Sequence, residues 1–350
     1  MPSAFTLRAM TPDDSAALAT LTEQSPDGGA VAFRPRFHLP AYQVYGLRHG
    51  DVVGVVAEAN GAAGLVGAAH VSFGECQFEG HPRRYALLSA LMVHPDYRRQ
   101  GIAAALAQWR IERAMERSGA DTILLADIQA GNVGSIANAK KWASQIAGKV
   151  VTSPVPMRTK PPRVEDGITV RAAKPEELET IAENLNSFYR DYNFYQPTTA
   201  EQLQAWLQET PFATPIHHYL VAVDRAGRLL AGMSIQEEGR LMSLYIEKVP
   251  LLISLLNTFM HVIPADHEMR NLHAEQLWFA AGQLEAARQL WQTVRWEWRD
   301  RGSSVFCHYD PRSPIPQVLQ APAWMPATST SIALRSDTPM SAARLIYPLV

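Results

Sequence analysis

Apolar residues in this chain follow two patterns, short continuous runs and helical periodicity, and the two patterns alternate. The runs that predict buried strands are Tyr85 to Val93, Thr122 to Ile128 and Lys149 to Thr152. Between the first two runs, Ile102, Leu106 and Trp109 share one helical face at i, i+4, i+7 spacing. A second helix is predicted over Gly134 to Ile146. The pattern indicates a strand, loop, helix, strand, helix unit.

Two segments in different halves of the chain read alike. Thr6 to Asp14 and Thr169 to Glu177 each carry a β-type run that ends at a proline followed by two acids. Proline and negative charge are typical of the first turn of a helix, so each segment predicts a strand that leads into a helix. A hairpin is predicted after each, with turns at Asn60-Gly61 and at Asp224 to Gly227. The shared order indicates an internal duplication.

The length of 350 residues also favours two domains, because one hydrophobic core rarely keeps growing to that size. Ser153 to Pro162 holds four prolines, which favour an extended connector over a helix or a central strand. We therefore predict domains over 1–160 and 161–350.

Composition and charge exclude several classes of function. Thirty-two basic residues against 34 acidic ones give a net charge of −2, which offers no bulk attraction for nucleic acid or an anionic membrane. Cys76 and Cys307 stand alone, so neither a disulfide framework nor a metal site is predicted. We find no signal peptide and no apolar run of ~18 residues that could span a membrane. A cytoplasmic protein is expected.

The loop that follows the run Tyr85 to Val93 contains the residues for which we predict a chemical role. It reads Arg98-Arg99-Gln100-Gly101-Ile102-Ala103 and opens the amphipathic helix. The unpaired amides of a helix start bind anions, Gly101 allows a ligand to approach the backbone, and Ala103 keeps the next position small. The guanidinium groups of Arg98 and Arg99 add donors that suit phosphate. The expected ligand is a nucleotide diphosphate.

With its preceding strand, this loop resembles the phosphate-binding motif of the GNAT acyltransferase superfamily. The match covers Leu91 to Ala103, with weaker support from Asn132, Ser135 and Ile136. The resemblance implies an α/β protein with a mixed (α+β) sheet, built as two tandem GNAT-like domains, whose cofactor is acetyl-coenzyme A. The residues that it implies for cofactor binding are Leu91, Met92 and Val93 at the pantetheine and thioester, Arg98, Arg99, Gln100, Gly101, Ile102 and Ala103 at the pyrophosphate, and Asn132 at the far end.

The activity that the resemblance implies is transfer of an acetyl group to a primary amine of a small molecule or peptide. Neither cysteine lies near the loop in sequence, so direct attack in a ternary complex is expected. Ala139 stands where many members carry a tyrosine that protonates the leaving thiolate. Tyr85, Tyr97 or solvent are the alternatives, and Tyr97 is our candidate. The candidates for the general base are Glu75, which we prefer, and His70, Glu79 and His81.

Acceptor residues are sought in the aromatic and cationic segment from Phe33 to Tyr45. Arg34, Arg36 and Tyr42 would suit an acceptor with a carboxylate or an aromatic group. The alternative is a solvated loop whose aromatic residues pack beneath it.

The second half shows no such loop at the place where the repeat predicts it. If Leu244-Tyr245-Ile246 corresponds to Leu91-Met92-Val93, the loop falls on Pro250 to Leu256, which holds neither glycine nor arginine. This degenerate half could close the acceptor pocket, form a homodimer or bind a regulator. A non-catalytic acyl-coenzyme A sensor remains the rival function, whereas a dinucleotide oxidoreductase lacks its GxGxxG signature.

Overall fold

The computed structural model describes residues 5–25, 32–163, 165–248, 264–321, 325 and 327–349. The loop position Pro250 to Leu256 lies outside these residues, as does the apolar stretch Val249 to Met260, for which the sequence predicts a buried helix. The helices are α1 (Ser15–Gln24), α2 (Ala41–His49), α3 (Ile102–Ser118), α4 (Val133–Ala139), α5 (Leu178–Phe188), α6 (Ala200–Gln208), α7 (Leu284–Glu297) and α8 (Ile315–Leu319).

The strands are β1 (Phe5–Ala9), β2 (Ala32–Phe37), β3 (Val52–Ala59), β4 (Leu65–Phe78), β5 (His81–Val93), β6 (Ile123–Gln129), β7 (Gln145–Pro156), β8 (Thr169–Ala172), β9 (Tyr192–Asn193), β10 (His217–Val223), β11 (Leu229–Gln236), β12 (Met242–Lys248), β13 (Glu268–Met269), β14 (Asn271–Phe279), β15 (Ser304–Tyr309), β16 (Thr328–Arg335) and β17 (Leu345–Ile346). Twelve of them form one mixed sheet in the order β1-β3-β4-β5-β6-β16-β7-β15-β14-β11-β10-β8. The mixed α/β architecture predicted from the sequence is confirmed.

The internal duplication is visible at the two edges of this sheet. β1 and β8 are the edge strands, and each leads through a short turn into a helix. Arg8 and Asp14 form an ion pair of 2.7 Å at the first turn, and Arg171 and Glu177 form one of 2.5 Å at the second. Both predicted hairpins are present as β3 with β4 and β10 with β11.

The two halves exchange strands at the centre of the sheet. β16 comes from the second half, yet it lies between β6 and β7, antiparallel to both. β7 in turn pairs with β15 along its other edge. The twelve strands therefore form a continuous sheet across the junction between the halves.

Helices cover both faces of the sheet. On one face, α3 packs through Ile111 against Val71 of β4 and Leu124 of β6. On the other face, α1 packs through Leu18 against Val56 and Ala68. In the second half α7 covers the first of these faces and α5 the second. Among the described residues no helix is long and apolar enough to cross a membrane.

Two predicted elements near the junction were wrong. The helix predicted over Gly134 to Ile146 ends at Ala139, because Gln145 and Ile146 already pair with β16. The prolines Pro154 and Pro156, expected in a connector, lie inside β7. β16 pairs with β7 only as far as Thr152. Beyond Thr152, β15 is the one described strand that pairs with β7. A proline whose missing N–H would face the unpaired edge of β7 therefore removes no hydrogen bond from the sheet.

The alignment of Leu244-Tyr245-Ile246 with Leu91-Met92-Val93 was also wrong. β12, which contains these residues, lies in a separate small sheet between β13 and β2. The counterpart of β5 is β14, since both pair with the second hairpin strand of their own half and run parallel to the next strand. The second half carries an insertion between its hairpin and β14, which displaced the alignment.

Candidate active site

The predicted phosphate loop forms the start of α3. Gly101 is the N-cap residue and has φ of 87°, in the left-handed region that favours glycine. A Cβ built on Gly101 meets no protein atom within 4 Å, so the space before the helix is open. Nε of Arg98 donates to the carbonyl of Val93 at 3.2 Å, and Nε2 of Gln100 donates to the carbonyl of Asp96 at 3.3 Å. The loop is thus held by its own side chains, with an exposed, amide-rich mouth.

Gly67 of β4 sets the distance between α3 and the sheet. A Cβ at this position would lie 3.0 Å from side-chain atoms of both Ile102 and Leu106. The absence of a side chain lets the first turns of α3 settle directly on the strand. This contact fixes the mouth of the helix beside the end of β5.

A groove between α3 and α4 leads away from the loop, with a cavity volume of about 390 Å³. Small residues leave this space open along α3, and larger ones close it on the side of α4. The lining residues are Ala104, Ala105, Ala107, Gln108, Ile111, Asn138, Lys141 and Trp142. Lys141 and Trp142 could not be predicted as lining residues from the sequence, although the run of alanines after Gly101 indicates a close approach.

β5 and β6 separate before β5 reaches the loop. Their parallel pairing is confined to residues 85–87 and 123–125, although β5 continues to Val93 and β6 to Gln129. At the separation Ala90 has φ of 48° and the register with β4 shifts, which marks a β-bulge. Leu91 to Val93 therefore lie on an edge of β5 that β6 does not pair. The parallel pair is thus splayed beyond Leu87 and Leu125.

Arg110 of α3 supports the bulge from below. Its guanidinium is almost fully buried and donates to the carbonyl of Ser89 at 2.9 Å and to that of His70 at 3.4 Å. Burial lowers the pKa of Arg110 to about 9. A buried cation that bonds the carbonyls of two neighbouring strands fixes the point from which β5 turns away.

Polar side chains gather on the opposite face of the sheet at the same level. His70 is 1% exposed, stacks on Tyr45 with ring centroids 4.1 Å apart, and has no hydrogen-bond partner at either ring nitrogen. Burial lowers its pKa to about 3, so the imidazole is neutral. The hydroxyl of Ser89 is also buried without a partner. Unsatisfied buried polar groups cost free energy and mark places where a ligand or water binds.

The two catalytic candidates lie away from the splay. Glu75 has a side chain that is 75% exposed and faces Arg84 at 3.8 Å. It is seven residues beyond Ala68 on β4, which corresponds to roughly 20 Å along a strand. Tyr97 packs edge-on against His94 in the turn before α3. We do not retain either residue for proton transfer.

Three other positions considered for the site, Tyr85, Ala139 and Asn132, have structural roles. The hydroxyl of Tyr85 accepts a hydrogen bond from Nε2 of Gln196 at 2.6 Å, and burial raises its pKa to about 12. Ala139 is buried in the core beneath α3. Asn132 caps α4, because its Oδ1 accepts from the amide of Ser135 at 3.0 Å.

The acceptor candidates lie on β2 and α2. β2 pairs with β12 of the second half, so Arg34 and Arg36 belong to a small sheet that joins the halves. The Arg36 guanidinium lies 4.2 Å from the ring centroid of Tyr245. Tyr42 is exposed on the first turn of α2. The contacts found for Arg36 and Tyr42 within the described ranges are not with residues of the splay.

The second half repeats the splay but fills it. β14 has a bulge with Gln276 at φ of 51°, and Gly282 at φ of 77° precedes α7. The short loop Ala280 to Gln283 contains no arginine, and Glu285 places a negative charge in the first turn. The partly buried ring of Tyr347 helps to close the space, leaving a cavity of about 30 Å³, enough for roughly two waters. A pyrophosphate and pantetheine do not fit here.

Comparisons with known proteins agree with this geometry. The model of the "Acetyltransferase (GNAT) family" matches residues 19–143. A search of curated protein sequences finds no significant match.

Solved structures share the fold over nearly the whole chain. N-myristoyltransferase of Saccharomyces cerevisiae with bound myristoyl-CoA is 11% identical, with a TM-score of 0.65 over 96% of this chain and 84% of that one. A GCN5-related N-acetyltransferase from Sphaerobacter thermophilus is 17% identical, with a TM-score of 0.62 over 97% and 98%. A tandem GNAT protein from the clavulanic acid biosynthesis pathway is 15% identical, with a TM-score of 0.60 over 96% and 100%. Residues 19–143 thus match the model of the GNAT acetyltransferase family, within a chain whose fold is similar to that of a tandem GNAT protein.

Proposed function

We propose that this chain is an N-acetyltransferase that moves an acetyl group from acetyl-coenzyme A to the primary amine of a small molecule or peptide. The observation that carries the proposal is the combination of three features in the first half. The helix start at Gly101 is open, a groove runs along α3, and β5 separates from β6 before the loop begins. An anion site that follows an unpaired strand edge in the chain fits a ligand with a diphosphate at one end and a reactive group at the other.

The residues that would hold the cofactor follow from these three features. The α3 amides after Gly101 and the guanidinium groups of Arg98 and Arg99 would bind the pyrophosphate. Edge groups of Leu91 to Val93 would bind the pantetheine and orient the thioester carbonyl, as oxyanion donors do. Asn132, at the start of α4, would contact the cofactor with its amide group. Bound acetyl-coenzyme A supplies an acetyl group activated as a thioester.

Direct attack by the acceptor is supported by the state of the two thiols. Cys76 and Cys307 are both buried, and burial raises the pKa of each to about 12. Thiolates are the reactive form of cysteine, so these side chains are poor nucleophiles. Cys76 also lies opposite Arg83, far along β4 from the splay.

A second function is favoured by one specific observation. Ala139 is buried in the core at the position where a tyrosine would protonate the leaving thiolate. Loss of that acid would suit a sensor that binds acyl-coenzyme A without turnover.

The test is calorimetric titration of acetyl-coenzyme A into the wild-type protein, Gly101→Glu and Gly282→Glu. Both glycines precede a helix with positive φ and open space around the Cβ position, so the two variants carry matched backbone strain. We expect one site per chain in the wild type, at least 100-fold weaker binding in Gly101→Glu because a carboxylate faces the phosphates, and unchanged binding in Gly282→Glu.

Two results would contradict the proposal. If the wild type does not bind acetyl-coenzyme A, the cofactor assignment is wrong. If both variants lose binding equally, backbone strain and not the anion site explains the loss. Binding without release of coenzyme A in the presence of an amine panel would favour the sensor.

A further inference from the structure

One carboxylate on the splayed strands stands apart from all groups discussed so far. Asp127 lies two residues beyond Leu125, the last residue of β6 that pairs with β5. Its partner on the other side is Ile332 of β16. Because side chains alternate along a strand, Asp127 points to the same face as Leu125. It therefore borders the opening from the face that α1 and α2 cover.

Ser89 holds the corresponding place on β5, two residues beyond Leu87. His70 is the direct neighbour of Ser89 on β4. His70, Ser89 and Asp127 thus lie on three adjacent strands at one level and on one face. Two of the three have buried polar atoms without partners. A set of this kind at the mouth of a splay has the character of a reaction site and differs from an ordinary core.

The environment of Asp127 is apolar but open. Leu87, Leu125 and Ile332 belong to one hydrophobic cluster on this face. No hydrogen bond or ion pair to the Asp127 carboxylate is found within the described ranges. The side chain is exposed, although many protein atoms lie around it. This crowding removes water from the carboxylate and raises its pKa to about 7.

We propose that Asp127 is the general base of the acetyl transfer, taking a proton from the acceptor amine at the opening between β5 and β6. The inference rests on the proposed function. The amine reaches the site as an ammonium ion, which the carboxylate attracts. The nitrogen loses one proton to Asp127 and attacks the thioester carbon, so that a C–N bond forms and the C–S bond breaks. A second proton leaves the nitrogen to solvent, and the released thiolate takes a proton from water.

Neighbouring groups do not compete for this role. His70 has a pKa of about 3 and is enclosed under Tyr45, so it is too weak a base near neutral pH. Ser89 and Ile332, the neighbours on β5 and β16, carry no charge. Arg110 approaches the bulge from the other face of the sheet. A base whose pKa lies close to the working pH transfers protons most effectively.

The experiment compares the wild type with Asp127→Asn, Asp127→Glu and the control Asp121→Asn, an exposed carboxylate just before β6. Acetyl-coenzyme A binding is measured by calorimetry, and turnover is followed as thiol release with phenethylamine, spermidine and a pentapeptide with a free N-terminus. We expect all four proteins to bind equally. We expect kcat/KM to fall roughly 10²- to 10⁴-fold in Asp127→Asn, partly recover in Asp127→Glu and stay unchanged in Asp121→Asn. The fall of wild-type kcat/KM below about pH 7 should disappear in Asp127→Asn.

Carboxyl carbon NMR of the acetyl-coenzyme A complex gives a readout that needs no acceptor. A carboxyl group that titrates near pH 7 and is missing from Asp127→Asn is expected. The assignment is overturned if Asp127 titrates near pH 4, or if Asp127→Asn turns over within threefold of the wild type with the same pH profile. Failure of the wild type to bind acetyl-coenzyme A would instead remove the proposed function itself.

Discussion

The opening between β5 and β6 and the opening between β14 and β15 are built alike. Each has a bulge with one residue at positive φ, Ala90 in the first and Gln276 in the second, and each is followed by a glycine before a helix. Beyond the first strand pair lies the arginine loop, and beyond the second lie only Ala280 to Gln283.

The difference between the openings lies in what fills them. In the first half a groove of about 390 Å³ lies along α3, while the opening of the second half is packed by tyrosines and leaves about 30 Å³. Backbone geometry follows from the pairing of strands and the packing of helices, and both halves keep these. Ligand binding depends on a few exposed side chains and on empty space, which one half can lose without losing its fold.

The largest expected effect concerns the junction that holds the halves together. Glu238 of the second half is buried between Arg48 of α2, at 2.9 Å, and His273 of β14, at 2.7 Å. Although burial opposes ionisation, these cations hold the pKa of Glu238 well below its usual range. Glu238→Gln should destabilise the protein by about 3–5 kcal/mol, because two buried cations lose their partner. If the halves are coupled, denaturant unfolding monitored by CD and by tryptophan fluorescence should shift as a single transition.

The control is Asp51→Asn, which breaks an exposed pair with Arg117 and should change stability little. The pH dependence has a definite sign. Burial opposes protonation of His273, but Glu238 raises its pKa to about 9, above the usual 6.5. Its contribution is therefore complete below about pH 6.5 and is lost as the pH rises through 9. Two separate unfolding transitions in Glu238→Gln would contradict the coupling of the halves, since each half would then unfold independently.

A second prediction sharpens the contrast in cofactor binding. Arg98→Ala and Arg99→Ala should each weaken acetyl-coenzyme A binding roughly 10- to 100-fold, since a charge-assisted hydrogen bond contributes about 1.5–3 kcal/mol. Arg288→Ala, on α7 of the second half, should leave the affinity unchanged. Calorimetry at two salt concentrations measures both, and the loss should shrink at high salt. An equal loss in Arg288→Ala would mean that the second half also takes part in binding.

The smallest effect tests how well the duplication is preserved. Arg8 pairs with Asp14 and Arg171 with Glu177 at equivalent first turns. Partly exposed pairs of this kind contribute about 0.2–1 kcal/mol, so Arg8→Ala and Arg171→Ala should lower the free energy of unfolding by similar, small amounts. Thermal melts of the two variants measure this. A markedly larger cost for one of them would show that the two edges of the sheet have diverged.

The sequence predicted those parts of the molecule that depend on local signals. Turn residues, charge and short-range periodicity predict the repeated strand-to-helix segments that begin at Thr6 and Thr169, both hairpins, and the glycine before α3. Long-range pairing could not be predicted in this way. Ile146 lies in a strand because Ala333 pairs with it, and nothing near Ile146 announces that partner.

In the candidate site, too, residues set by local sequence could be predicted and residues set by long-range pairing could not. The cofactor loop is contiguous in sequence, so its residues could be named together. Glu75 was preferred because a carboxylate on the central hairpin is visible in the sequence, whereas its distance from the splay depends on strand register. Asp127 was missed because it lies within an apolar run. Only the point at which the β5–β6 pairing ends shows that Asp127 borders the opening.

The position of β16 has a consequence for biosynthesis. β6 and β7 cannot become neighbours of a common strand until residues 328–335 have left the ribosome, after nearly all of the rest of the described chain. Until then both strands present edges that can pair with other chains. Translation that stops before β16 should therefore give aggregates in place of a folded amino-terminal half, and the gene cannot be divided at the proline-rich segment without supplying that strand from elsewhere.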